Sequence, residues 1–290
     1  MKLNCERCGE EIELDLRVKK IGISNEGNII VELEYDDYFF NMFLYDCRDD
    51  TEVVNREKTI ELIEKIITDT LNSLWDFREE INSIYKILPF LKKEKIKLQL
   101  GDGIKEDIEN IDWFDDGIKA YEILRGLNSL NDELKDKLKR KILENYSPCA
   151  KSDIDFLHES LVYALAEKDH EFIEFLIKDV FTTTLTESVN SLSNTDFERW
   201  LNGADDTLIS SILSVLYFIF ENGLEKLIEK DLEIFKKRVI ELTNNQTNKL
   251  KKIIKEKAKS KNVKDKKEAI TLVKLLNDDK LNRFIIKTLV

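Results

Sequence analysis

The sequence predicts an α+β protein that is mainly α, with a small N-terminal antiparallel β-sheet followed by a large helical domain, irregular or solenoid-like. Three observations carry that reading. The hydrophobic period is two up to about residue 50 and three to four from there on. Glycine and proline, which interrupt helix interiors, number only 9 and 2 in 290 residues. Finally, 42% of the residues are hydrophobic, enough to fill a sizeable core, while 36% are charged and can solvate helix surfaces.

Within residues 1–50 the stretch EIELDLRV alternates Ile12, Leu14, Leu16 and Val18 with charged residues, the pattern of a half-buried strand. After Asn25-Glu26-Gly27-Asn28, whose residues tolerate a left-handed turn, Ile29, Val31, Leu33 and Tyr35 alternate again. The aromatic run YFFNMFLYDC over residues 38–47 supplies a third strand.

Residues 51–290 read as helical, with a subdivision near 147–152 where Pro148 blocks continuation of the preceding helix. Over residues 56–77, Ile60, Ile63, Ile67, Leu71 and Leu74 step by three and four, so a core-facing helix is expected. One interruption is expected at 96–100, where Ile96, Leu98 and Leu100 alternate ahead of Gly101-Asp102-Gly103. Capping-box spacing predicts helix starts at Ser152-Asp-Ile-Asp155 and Thr195-Asp-Phe-Glu198, and Asn222-Gly223 predicts a stop. The run Leu208 to Phe220 is 13 residues long, below the roughly 18 to 20 that span a bilayer, and reads as a buried core helix. No period of 30 to 47 residues repeats, which favours an irregular domain over a solenoid.

Charge narrows the function classes. The net charge of −12 is a poor match for general binding to phosphate backbones. From Lys249 to Lys267, however, ten lysines face only Glu256 and Asp265, so this segment carries +8 and the rest of the chain −20. Lys249, Lys251, Lys252, Lys255 and Lys259 are therefore the candidate contacts to a partner or to nucleic acid. The lysines lack interleaved aromatics, which suits positioning of anionic groups and not base reading.

Four cysteines stand at positions 5, 8, 47 and 149, with no secretory leader in the first thirty residues, so a cytoplasmic chain without disulfides is expected. Cys149 is expected to be a buried small hydrophobe. His158 and His170 are expected at solvent-exposed helix edges. Cys5-Glu-Arg-Cys8-Gly9 has the spacing of two thiolates on a tight turn that occupy two corners of a tetrahedron. It resembles the first knuckle of a zinc ribbon, over residues 5 to 9 and the strands that follow. That resemblance implies zinc as cofactor, with Cys5, Cys8 and Cys47 as its ligands. The second CxxC of a full ribbon is missing, and a three-strand order carries Cys47 to the far end of the sheet. Zinc held in one chain, zinc shared by two chains and a metal-free knuckle all remain open.

No Ser-His-Asp order, nucleophile elbow, Walker sequence or dinucleotide fingerprint occurs. The expected function is therefore an interaction or scaffold protein with a protein partner and no membrane attachment. The alternative is a zinc-ribbon-like, nucleic-acid-associated protein that uses the knuckle and the Lys249–Lys267 segment.

Overall fold

The chain's computed structural model describes backbone at residues 2–4, 11–13, 17–23 and 29–34, helical positions 82, 84, 85, 88, 89 and 92, and residues 104–289 apart from 203–206 and 244–246. It divides into two compact units, Met1–Asn145 and Tyr146–Val290.

In the first unit β1 (Lys2–Asn4) pairs antiparallel with β2 (Glu11–Glu13), Leu3 opposite Ile12. Cys5 and Cys8 fall between these strands in sequence and lie outside the described residues, as does Cys47. A second antiparallel pair joins β3 (Arg17–Ile23) to β4 (Ile29–Glu34), with its register shifted between Val18 and Lys20. The strand expected at 38–47, the helix expected at 56–77 and the strand expected at 96–100 also lie outside the described residues.

Helices α1 (Ile104–Glu109), α2 (Phe114–Gly126) and α3 (Asp132–Asn145) close this unit. Leu134, Leu138 and Ile142 recur at four-residue steps on α3 and are its buried face, packed against α2. The close approach depends on Gly117, where an added Cβ would meet Ile142 Cγ1 at 3.0 Å. Asp115 and Asp116 stand in the first turn of α2, and the Lys119 ammonium lies 2.6 Å from Asp115 one turn on. Asn131 starts α3, its side chain accepting the Leu134 N–H at 2.9 Å.

The described part of the second unit is all helical. It begins with α4 (Lys151–Ala166), which differs from expectation at its first turn. Ala150 holds the capping position without a side-chain bond, and the Ser152 box does not form. The acidic residues are used elsewhere, because Asp153 accepts the Ser147 N–H at 3.0 Å and Asp155 accepts the Ser211 hydroxyl at 2.5 Å. Cys149 is exposed, a correction to its expected burial, because it sits in the tight turn from Ser147 to Ala150 that feeds α4. Just past the end of α4, Lys168 adopts φ 58°, and the Asp169 side chain caps the next helix by accepting from Phe172 N.

That next helix, α5 (His170–Phe175), runs through two π-helical segments, Leu176–Phe181 and Thr184–Ser188, into α6 (Val189–Ser191). The buried hydroxyls of this wide stretch are satisfied, Thr184 by the Tyr146 hydroxyl and Ser188 by the Pro148 carbonyl at 2.8 Å. Burial pushes the Tyr146 phenol well above its usual pKa. Helix α7 (Asn194–Leu201) is capped by Ser193, two residues before the predicted Thr195, and the Ser193 hydroxyl accepts the Asp196 N–H at 3.1 Å.

Helix α8 (Leu208–Glu221) is the centre of the unit. It packs on α4 and on α11 (Val263–Leu276), and Ile212, Leu216, Ile219 and Phe220 are all buried, as an apolar run of this length predicts. It stops at Asn222, with Gly223 at φ 67°, the left-handed conformation that glycine adopts without penalty. After α9 (Glu229–Thr243), a three-helix array of α10 (Thr247–Lys259), α11 and α12 (Asp279–Leu289) completes the chain. Among the described residues no helix is long and apolar enough to cross a membrane.

The packing predicts a graded response to truncation. Leu216→Ala, at a fully buried position of α8, should cost about 2–5 kcal/mol in urea unfolding, whereas Val162→Ala on the exposed face of α4 should stay within about 0.5 kcal/mol.

Candidate anion-binding face

Helix α10 forms because Leu250, Ile254 and Ala258 recur every four residues and are fully buried, which leaves its lysines on the remaining arc. The tertiary structure divides those lysines into two groups.

The first group turns inward. Lys257 is largely buried and its ammonium lies 2.8 Å from Glu268 Oε2 on α11 and 3.3 Å from Asp265. Glu268 is 3% exposed, and its Oε1 accepts the hydroxyl of Ser210 on α8. The Lys257 ammonium also stands 5.7 Å from the centre of the Trp200 ring. Burial works against the charged Lys257, but the hydrogen bond and charge of Glu268, with Asp265, outweigh it and raise the lysine pKa. Lys251 reaches Asp278 at 2.9 Å, and Lys249 donates to Asn202 Oδ1 at 3.0 Å.

Asp278 caps α12, its Oδ1 accepting the Lys280 and Leu281 N–H groups at 3.0 Å. The Lys251 hydrogen bond and these amides hold its carboxyl below the usual carboxylate range. On α11, Lys274 donates to the Phe220 carbonyl at 3.3 Å, and the Thr271 hydroxyl, 3.0 Å from the Lys267 carbonyl of its own helix, lies 3.4 Å from the Leu213 carbonyl, so α11 runs closely along α8.

The second group faces out. Lys252, with a side chain 77% exposed, has Glu256 at 3.9 Å as its one ion-pair partner among the described residues. Lys255 and Lys259, one turn apart, converge on Phe284 of α12, their ammonium groups 5.7 and 5.8 Å from the ring centre. The aromatic ring that the basic segment lacks in sequence is thus brought to it by another helix. Lys280, Phe284 and Lys287 share one stripe of α12 by their spacing of four and three, with Arg283 beside it. Lys255, Lys259, Lys280, Arg283 and Lys287 are exposed and make no ion pair among the described residues. Across residues 247–289, fourteen Lys and Arg stand against five Asp and Glu, a net +9.

Of the lysines predicted as contacts, Lys252, Lys255 and Lys259 therefore share the outward face, while Lys249 and Lys251 have partners within the unit. Phe284, Lys280, Arg283 and Lys287 were not among the predicted contacts. Their seven-residue stripe was readable in the sequence, but its neighbour was not.

The histidines separate. His170 is exposed at the start of α5, as expected. His158 differs, being half-buried on α4 with its ring edge-to-face against Phe218 at 6.2 Å. Burial, reinforced by the charge of Lys267, lowers its pKa. Among the described residues no three His, Cys, Asp or Glu side chains are grouped so as to hold a metal ion.

Comparison with known proteins finds no match to a family model, a curated protein or a solved structure. The chemistry of this face therefore rests on its own residues.

The buried pair gives a test of what holds the face in place. Lys257→Met alone leaves the Glu268 carboxylate buried without its cation and should cost about 3–5 kcal/mol in chemical denaturation. The double substitution Lys257→Met/Glu268→Leu should recover most of that loss, because the stranded charge goes with its partner.

Proposed function

We propose that the chain is an interaction or scaffold protein that binds a protein partner through the cationic face of α10 and α12. The observation that supports this reading is the convergence of Lys255 and Lys259 on Phe284 with no ion-pair partner among the described residues. Lysine ammonium groups are costly to immobilise, and a local excess of them on an otherwise acidic chain steers the approach of an anionic surface. Lys255→Glu/Lys259→Glu should weaken a co-purifying protein partner by about tenfold or more, and raised salt should do the same to the unaltered chain. A partner retained equally by the reversed variant would remove the face from this reading.

A second reading is association with nucleic acid, favoured by the preponderance of lysine on the face and by the Cys5-x-x-Cys8 spacing between β1 and β2. Binding to phosphates would then fall with salt at a log-log slope of about −0.9 per contact on a duplex. In this reading Cys5, Cys8 and Cys47 hold zinc with one further ligand, since structural zinc sites are closed. Elemental analysis of the purified chain should then show stoichiometric zinc, and Cys5→Ser should release it. A zinc-free chain whose melting is unchanged by a chelator would remove the knuckle from this account.

A further inference from the structure

We infer that the occupant of the α10–α12 face is an acidic helical segment of the partner, with carboxylates repeating at three- and four-residue steps along one side. This rests on the proposed function and goes further by naming the chemistry and shape that the face recognises.

The shape comes from helix direction. Helix α11 packs against both α10 and α12, and the cross-contacts run from Lys251 with Asp278 to Lys255 and Lys259 with Phe284. Both pairings advance in the same direction, so α10 and α12 lie side by side and parallel. Lys252, Lys255 and Lys259 make one rail and Lys280, Arg283 and Lys287 the other, with Phe284 between them. Each rail covers seven residue steps, about 10 Å of helix. A helical ligand laid along the rails presents side chains at the same axial spacing, whereas an extended chain covers that length in about three residues.

The chemistry comes from the cations and the ring. Five of the six outward cations are lysines, which act as point charges, and only Arg283 has the fork that grips phosphate in two places. Single-stranded nucleic acid gains much of its affinity by stacking bases on open aromatic faces. Phe284 is half-buried, and two ammonium groups already stand against its ring. A duplex is longer than the face, and residues 146–246 of the same unit carry nine Lys and Arg against nineteen Asp and Glu, a net −10 that disfavours a continuous polyanion. A short acidic helix meets the cations and avoids that repulsion.

The test uses the full chain and two 15-residue helical peptides of equal composition. One has glutamates at three- and four-residue steps along one side, and the other has them spread evenly around the helix. At about 0.1 M salt the striped peptide should bind at least about fivefold more tightly than the spread one, and Lys255→Glu/Lys259→Glu should weaken it by about tenfold or more. Equal binding of the two peptides, or tighter binding of a 20-base-pair duplex than of the striped peptide, overturns the inference. Loss of a natural partner from the charge-reversed variant, with no binding of the striped peptide, overturns the helical class of ligand and leaves the proposed face standing. If the natural partner is unaffected as well, both readings fail.

Discussion

The second unit is organised around a buried carboxylate. A carboxylate taken out of water needs partners, and those of Glu268 come from other helices, the Ser210 hydroxyl from α8 and the Lys257 ammonium from α10. Meeting that requirement fixes the rotation and the axial register of α11 against α8 and of α10 against α11. A purely apolar contact would tolerate sliding, because hydrophobic burial is non-directional. The hydrogen bond from Lys274 to the Phe220 carbonyl sets the register of α11 on α8 farther along.

What this register fixes becomes visible at the surface. With Leu250, Ile254 and Ala258 turned inward, Lys252, Lys255 and Lys259 must point out. The turn to α12 is tight, with Asn277 in the left-handed conformation at φ 52° and Asp278 capping the next helix. Lys251 grips that cap at 2.9 Å, and α12 then runs beside α10 so that Phe284 arrives between Lys255 and Lys259. Two helices that are unremarkable separately become one cationic surface. One residue type does opposite jobs within a single helix, since Lys257 neutralises an interior carboxylate and Lys255, two positions away, faces solvent. The 3.6-residue period accounts for the difference, because neighbours two apart point about 200° from each other.

The wide helix from His170 to Ser191 departs from a regular ladder where Thr184 and Ser188 are buried. The first π-helical segment buries the apolar Leu176, Ile177, Val180 and Phe181, while the second turns Thr184 and Ser188 inward, where the Tyr146 hydroxyl and the Pro148 carbonyl receive them. Both partners lie in the segment that leads into α4, so the beginning of this unit is tied to its second long helix by hydrogen bonds. Polar residues that look like surface in the sequence TTTLTES are partly interior for that reason.

The sequence by itself determined the helical character of the described part of the second unit, the burial of α8 and its stop at Asn222-Gly223, and the concentration of positive charge near the C-terminus. Those properties come from local chemistry: side-chain period, glycine's freedom at positive φ, and residue type. Tertiary structure alone decided that Asp155 serves Ser211 of α8, that His158 tucks against Phe218, and which lysines turn to interior partners. The Ser152 box reads well as a string, yet Asp155 finds a better donor in Ser211, 56 residues away, and no local rule can see that competitor. Likewise the spacing of Lys255 and Lys259 is written in the sequence, but the ring between them belongs to another helix. Its arrival depends on how α12 is seated beside α10, with Lys251 holding the Asp278 cap, and that contact exists only when the helices pack.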